Sequence, residues 1–380
     1  MKTIVKYEME KIKQNKTFIG ALFISLFVLA GILYVGFYHA QLYGIDREGV
    51  EKYHQIVEKS TGEFNDQRVK KVLTNYIESY QSNDANTKGF DLFSWEIANT
   101  FIAEGENVYD QINDAMKQGD KITIDQINLK SIEEIGFTEF QEPLTMGSFV
   151  TWKDLYNVTN QLFLLISILS ILVCCLVFSS DTSRNMNSLL LSTRLGRKQL
   201  TIAKIIAATF ISLFIFLFIH GLSLGAFTVY NDGFTGWDTS IQTNFSMELF
   251  RFPVELNQLQ VFGLAIALQF LSLLAIVAIT LYVSATTRSP FSSLLIGLGL
   301  FLLPKALTQL IKRGPIYHLL NLFPINNYSV KDFLTLMSAK TEFFLAHFVQ
   351  NMILTMVVLV AIAIIFNFAV YQRMKQYQEV

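Results

Sequence analysis

The stretch LFLLISILSILVCCLVFS, residues 162–179, carries no charge over 18 residues. Wound as an α-helix it is about 27 Å long at 1.5 Å per residue, close to the roughly 30 Å of a bilayer's hydrocarbon core. Hydrocarbon offers the backbone no partners, so a segment there must satisfy its own N–H and C=O groups, as a helix does. Working outward, five more stretches share this character, at 18–38, 205–230, 261–284, 291–311 and 343–371. The first has a longer apolar run than the roughly 7 to 15 residues of a secretory leader, and no A-x-A-like site follows at 36–41, so it reads as a retained span.

Composition agrees. Of 380 residues, 52% are apolar and only 16% charged, against the roughly 25% charged of soluble domains. Phenylalanine is in excess at 33 copies. The net charge of -1 leaves no basic excess for a nucleic-acid footprint. The fold class expected is therefore an all-α integral membrane protein with six transmembrane helices.

Lysine and arginine near the spans give the sidedness. With the N-terminus inside, the inner segments carry 13 basic residues and four acids, whereas the two short outer loops hold only Arg251, Lys312, Arg313, Lys331 and Lys340. Both termini are thus expected in the cytoplasm, of a plasma membrane that reads as bacterial, with a near-neutral total dividing into about +9 inside and -10 outside. The expected organisation is a cytoplasmic interfacial helix at 1–16, span one at 17–38, an extracytoplasmic domain at 39–160, span two at 161–179, a cytoplasmic loop at 180–204, spans three to six within 205–371 and a tail at 372–380. The outer domain reads as mostly helical: Val69, Val72, Leu73, Tyr76 and Tyr80 recur at helical spacing, as do Phe93, Ile97 and Phe101, then Val108, Ile112 and Met116. Ile122 and Ile124 hint at a short strand. About 120 residues suffice for a small core of its own.

The inventory of chemistry is thin. Cys174 and Cys175 are adjacent within a span and read as small buried hydrophobes. The histidines form no cluster of ligand spacing, so a metal site lacks support. No glycine is followed by lysine, which excludes a Walker A loop from this polypeptide. Neither G-x-S-x-G nor H-E-x-x-H occurs. Polar groups inside spans are costly and tend to mark function. Pro304, Lys305 and Gln309 are candidates for a kinked, pathway-lining segment. A span ending near Leu303 with Lys305 snorkelling to the interface is favoured over it. His347, Gln350 and Asn351, with His220 and Gln269, are candidate pathway groups or inter-helix hydrogen bonds. Gly221 and Gly225 form a G-x-x-x-G expected to serve internal packing.

Two cytoplasmic segments speak more clearly. On 2–16, Ile4, Val5, Met9 and Ile12 line one side among lysines, as in a helix lying in the headgroup plane. Between spans two and three, Asp181, Arg184, Arg194, Arg197 and Lys198 surround an apolar triplet, Leu189, Leu190 and Leu191, that needs burial against a membrane or another protein. Gly196 is expected to end the helix presenting them.

An acidic residue after span two, then S-L-L-L-S-T-R-L-G-R-K-Q-L and K-I-I opening span three, resembles the permease subunits of ATP-binding cassette transporters of the ABC-2 type. The stretches Y-E-M-E-K-I-K-Q-N-K-T-F before span one and L-L-N-L-F-P-I-N-N-Y before span six look like the same family, although Arg194 stands where the family often has proline. The insertion after span one resembles the subset exporting sodium, drugs or antimicrobial peptides. The resemblance implies that 180–199 is a coupling segment inserting into a separate ATPase subunit, with the N-terminal helix as an elbow beside it. ATP and Mg would then sit on that partner, and this chain would hold no cofactor. A second permease copy, or a related permease, would complete the assembly among membrane lipids and the exported substrate.

Other classes compete. A membrane sensor or immunity protein would use the acidic outer domain to attract cationic peptides, though salt screens such fields. A membrane-embedded enzyme would need clustered ionisable groups, and apart from Lys305 and two histidines the spans offer almost none.

Overall fold

The computed structural model describes residues 1–39, 48–82, 91–102, 108–186, 190, 196–339 and 343–376. The chain is all-α, 77% helical, and six of its helices are long and apolar enough to cross a membrane, the layout of a multi-pass membrane protein. In chain order, α1 is Lys2–Lys13, α2 Lys16–Leu33, α3 Glu48–Ser60, α4 Asp66–Gln81, α5 Leu92–Phe101, α6 Val108–Gln118 and α7 Ile132–Ile135. Then follow α8 Val150–Ser183, α9 Thr201–Tyr230, α10 Gln258–Thr286, α11 Pro290–Leu310, α12 Pro315–Asn321, α13 Val330–Ser338 and α14 Phe348–Lys375. The candidate spans are α2 with its π-helical extension to Tyr38, α8, α9 with a π-helical turn at Gly196–Leu200, α10, α11 and α14. Two compact units emerge, the first comprising 1–32, 158–224 and 264–380, the second 33–157 and 225–263.

In the first unit the apolar windows of α8 and α2 differ sharply: 72% of one is buried against 17% of the other. The central helices are joined by hydrogen bonds from one to the next. The Ser284 hydroxyl of α10 donates to the Cys175 carbonyl of α8 at 2.9 Å and accepts from the amides of Phe178 and Ser179 at 3.1 Å. Gly297 lets α11 approach closely, since a β-carbon there would lie 3.2 Å from Ile171 and 3.4 Å from Thr280. The outward faces of α2, α11 and α14 carry exposed Phe23, Phe27, Phe291, Leu303, Ile364 and Phe368. Apolar surface of that extent suits hydrocarbon and not water.

The second unit begins from local signals. Asn65 caps α4 by accepting from the Arg68 amide, Asp91 caps α5 by accepting from the Ser94 amide, and Ser131 with Glu134 forms a reciprocal cap on α7. The helical spacings at 69–80, 93–101 and 108–116 fall in α4, α5 and α6. Val69, Val72, Leu73 and Tyr76 of α4 are buried, with Phe93, Ile97 and Phe101 of α5. The strand hinted at Ile122 and Ile124 is instead a 3-10 turn, Ile124–Gln126, because Thr123 and Gln126 close a capping box around it. The short antiparallel pair lies elsewhere, at Gly62–Glu63 and Thr145–Met146, with Gly62 opposite Met146.

The expectation of a self-sufficient core within 39–160 needs correction. Phe245, from beyond α9, lies 5.9 Å from Phe64, 6.0 Å from Phe101 and 5.2 Å from Phe149 between ring centroids. Phe137 packs, with rings tilted, on Phe64 at 4.8 Å and Phe250 at 4.9 Å. The 225–263 segment therefore completes the aromatic core. Hydrogen bonds continue the join, the Thr145 amide donating to Ser240 Oγ at 2.9 Å and the Ser240 amide to the Thr145 carbonyl at 3.0 Å.

Tyr53 shows how this unit holds the start of α8. Its fully buried hydroxyl accepts from the amides of Phe149 and Val150 at 3.0 and 3.1 Å and pairs with Ser148 Oγ at 3.0 Å. Burial pushes the phenol up to about 12, so it stays neutral at physiological pH. Tyr53→Phe leaves these amides without that partner, and a stability loss of about 1–3 kcal/mol is expected. Thermal unfolding of the detergent-solubilised protein checks it, and an unchanged midpoint would remove the cap's importance.

Candidate functional site

Among the described residues of the first unit, the buried charges gather at the two ends of the 180–204 segment and on α1 beside them. On α1, Ile4, Glu8 and Ile12 fall on one face at four-residue spacing, and Glu8 and Ile12 are buried. Lys11 is on the neighbouring stripe. The chain then turns sharply into α2, where Asn15 Oδ1 accepts from the Thr17 amide at 2.9 Å and the Phe18 amide at 3.3 Å.

Asp181, in the last turn of α8, is 1% exposed and could not remain charged there without partners. It has two. Lys11 Nζ donates to Oδ1 at 2.6 Å, and Lys204 Nζ donates to Oδ2. Lys204, buried in the first turn of α9, also donates to the Val177 carbonyl at 3.0 Å and lies 5.1 Å from the Phe178 ring centroid. Burial raises the Glu8 carboxyl above the usual carboxylate range, opposed by the nearby Lys204 and Lys11 ammoniums. One carboxylate thus binds α1, α8 and α9 together, and the turn at Gly196–Leu200 packs on α1 and α14.

A cavity of about 320 Å³ opens beside the cluster, lined by Tyr7, Glu10, Gln14, Leu176, Ser180 and Arg184 among others. Among the described residues no three or more His, Cys, Asp or Glu side chains are grouped to hold a metal ion. The cluster's chemistry is that of a strut.

The sequence singled out Asp181, Arg184, Arg197 and Lys198 here, and Arg184, Arg197 and Lys198 are exposed. Leu190 is half-buried, its amide donating to the Met186 carbonyl at 2.9 Å, while Leu189, Leu191 and Arg194 lie outside the described residues. Gly196 opens the π-helical turn that runs into α9, and the helix it was expected to end lies outside the described residues. Lys204, Lys11 and Glu8 were missed. The available signal was a glutamate on the apolar face of α1 and a lysine at the edge of an apolar run, each a charge where burial is expected.

The other singled-out residues lie on α9, α10, α11 and α14, with His347 as the residue before α14. Helix α11 passes through Pro304 to Leu310 rather than ending near Leu303, since loss of one N–H removes a single ladder bond. Lys305, partly exposed on α11, lies with its ammonium 3.4 Å from Asp332 Oδ2 of α13. Gln309, His347 and Gln350 are exposed. Asn351 is fully buried as a clamp, accepting from the Leu345 amide at 2.9 Å and donating to the Met337 and Leu345 carbonyls at 2.9 and 2.8 Å. Gln269 Nε2 donates to the Tyr328 carbonyl at 3.0 Å. Gly221 and Gly225 do not form the expected internal seam. Both are exposed with nothing within 4 Å of a β-carbon placed on them, because α9 turns Phe216, Ile219 and Ser223 inward instead.

No family model matches the chain, and neither a curated protein nor a solved structure matches it.

Proposed function

We propose that the chain is the permease subunit of an ATP-binding cassette exporter of the ABC-2 type, driven by a separate ATPase. The observation that carries this reading is the Asp181 cluster, which joins the N-terminal helix to both helices flanking the 180–204 segment. A leucine-bearing loop seated in a motor protein transmits force only if its roots are rigid. A buried, doubly paired carboxylate at those roots supplies such rigidity.

In this reading α1 is the elbow helix, 180–204 is the cytoplasmic coupling loop, and the 39–160 insertion faces outward. Closure of two ATPase subunits on ATP and Mg drags the loops as rigid bodies, and the packed spans switch between two access states. A second copy, or a related permease, completes the pathway for a drug, antimicrobial peptide or ion. The exposed faces of α2, α9, α11 and α14 offer room for such a neighbour or for lipid.

The test replaces Leu189, Leu190 and Leu191 together with Asp. Charged side chains cannot enter an apolar groove without unpaired burial, so affinity for the ATPase is expected to fall by about 100-fold or more. Co-purification with the partner ATPase, in mild detergent, reads the result. Undiminished association and substrate export in the triple variant would overturn the proposal.

A further inference from the structure

The second unit holds a cleft that the proposed coupling role does not use. One wall is the face of α3 bearing Glu51, His54 and Glu58, and the other is the loop after α9 bearing Asp232, Phe234, Trp237 and Asp238. The volume between them is about 940 Å³, the upper end of the range for bound ligands. Four carboxylates face this space, and among the described residues no lysine or arginine lines it. Phe234 and Trp237 are 42% and 47% exposed, unusual for large rings.

The loop does not expose these rings through slackness. Trp152 Nε1 donates to the Thr235 carbonyl at 2.9 Å, the Leu259 amide to the Trp237 carbonyl at 3.0 Å, and the Gln258 amide to the Thr239 carbonyl at 3.0 Å. Gly236 has φ +79°, and a β-carbon there would lie 2.6 Å from the Ser148 carbonyl oxygen, so the backbone is pressed against its neighbour. A backbone held this firmly while its aromatic side chains stay in solvent is pre-organised, which spares a ligand the cost of ordering it.

We propose that this cleft docks a cationic amphipathic peptide. Glu51 and Glu58 are two turns apart, about 10 Å along α3, so a single small cation would neutralise only part of the wall. A chain with several Lys or Arg residues matches the spread of charge. Its cationic and apolar side chains would lie on Trp237 and Phe234, whose ring faces attract both. This docking does not depend on the permease reading, and an exporter, a sensor or an immunity protein could each use it.

The experiment uses the full chain in nanodiscs of zwitterionic lipid and a fluorescein-labelled 14-residue peptide of alternating Lys-Lys and Leu-Trp pairs, with empty nanodiscs subtracted. Saturable binding is expected, weakening about tenfold or more between low salt and 0.3 M salt. In the E51Q/E58Q/D238N variant affinity is expected to fall at least about tenfold, and in Trp237→Ala about fivefold or more. All four side chains are exposed, so the thermal midpoints of both variants should stay near that of the parent. Equal affinity in parent and variants overturns the proposal, as does equal binding of a Glu-for-Lys version of the peptide. Quenching of Trp237 by brominated lipid without any response to peptide also overturns it, assigning the rings to the membrane interface.

Discussion

Lys204→Met should lower the stability of the first unit by about 3–5 kcal/mol, because a buried carboxylate is left with half its compensation. Asp181 would retain only the ion pair with Lys11, whose side chain is partly exposed. A fall of roughly 6 to 20 °C in the unfolding midpoint follows for a unit of this size. The informative comparison is the double variant Asp181→Asn with Lys204→Met. Replacing a buried pair as a whole is often nearly neutral, so the double variant should melt close to the parent. If the cluster serves transmission as proposed, the double variant should still fail to couple ATP hydrolysis to export despite its recovered stability. A single variant that melts like the parent would show that this carboxylate does not hold the three helices together.

Phe245→Ala is the counterpart in the second unit. The ring is 2% exposed and touches Phe64, Phe101, Phe137, Phe149 and Phe250. Truncating a fully buried phenylalanine costs about 3–5 kcal/mol when its surroundings cannot collapse into the void. Limited proteolysis should therefore show new cuts within 48–157 and 225–263 while α8, α10 and α14 remain protected. Cleavage spread evenly over the whole chain, or none beyond the parent's, would contradict a core completed by this side chain.

The six long helices were legible because each is a run of apolar residues matched to hydrocarbon thickness, a signal that needs no partner to be read. Helices α4, α5 and α6 were legible for a similar reason, since Val69, Val72, Leu73 and Tyr76 recur at the helix's own period. The joining of Phe245 to Phe64 was not, because nothing local in either stretch says which distant ring it meets. Lys204 was hidden by its position at the end of an apolar run, where a lysine ordinarily reaches water. Its burial follows from Asp181, 23 positions earlier, and from the return of Lys11 across 170 positions. The glycines at 221 and 225 mislead for a related reason: their spacing permits a close approach without stating which neighbour makes it.

The divided origin of the aromatic core sets a rule for exchanging parts of this protein with a relative. Grafting only the long insertion would mate foreign phenylalanines with a native Phe245, a mismatch that no linker choice can repair. Viable chimeras should carry two crossovers, swapping 33–157 and 225–263 as a set, and natural sequence drift in either stretch should be answered by compensating change in the other.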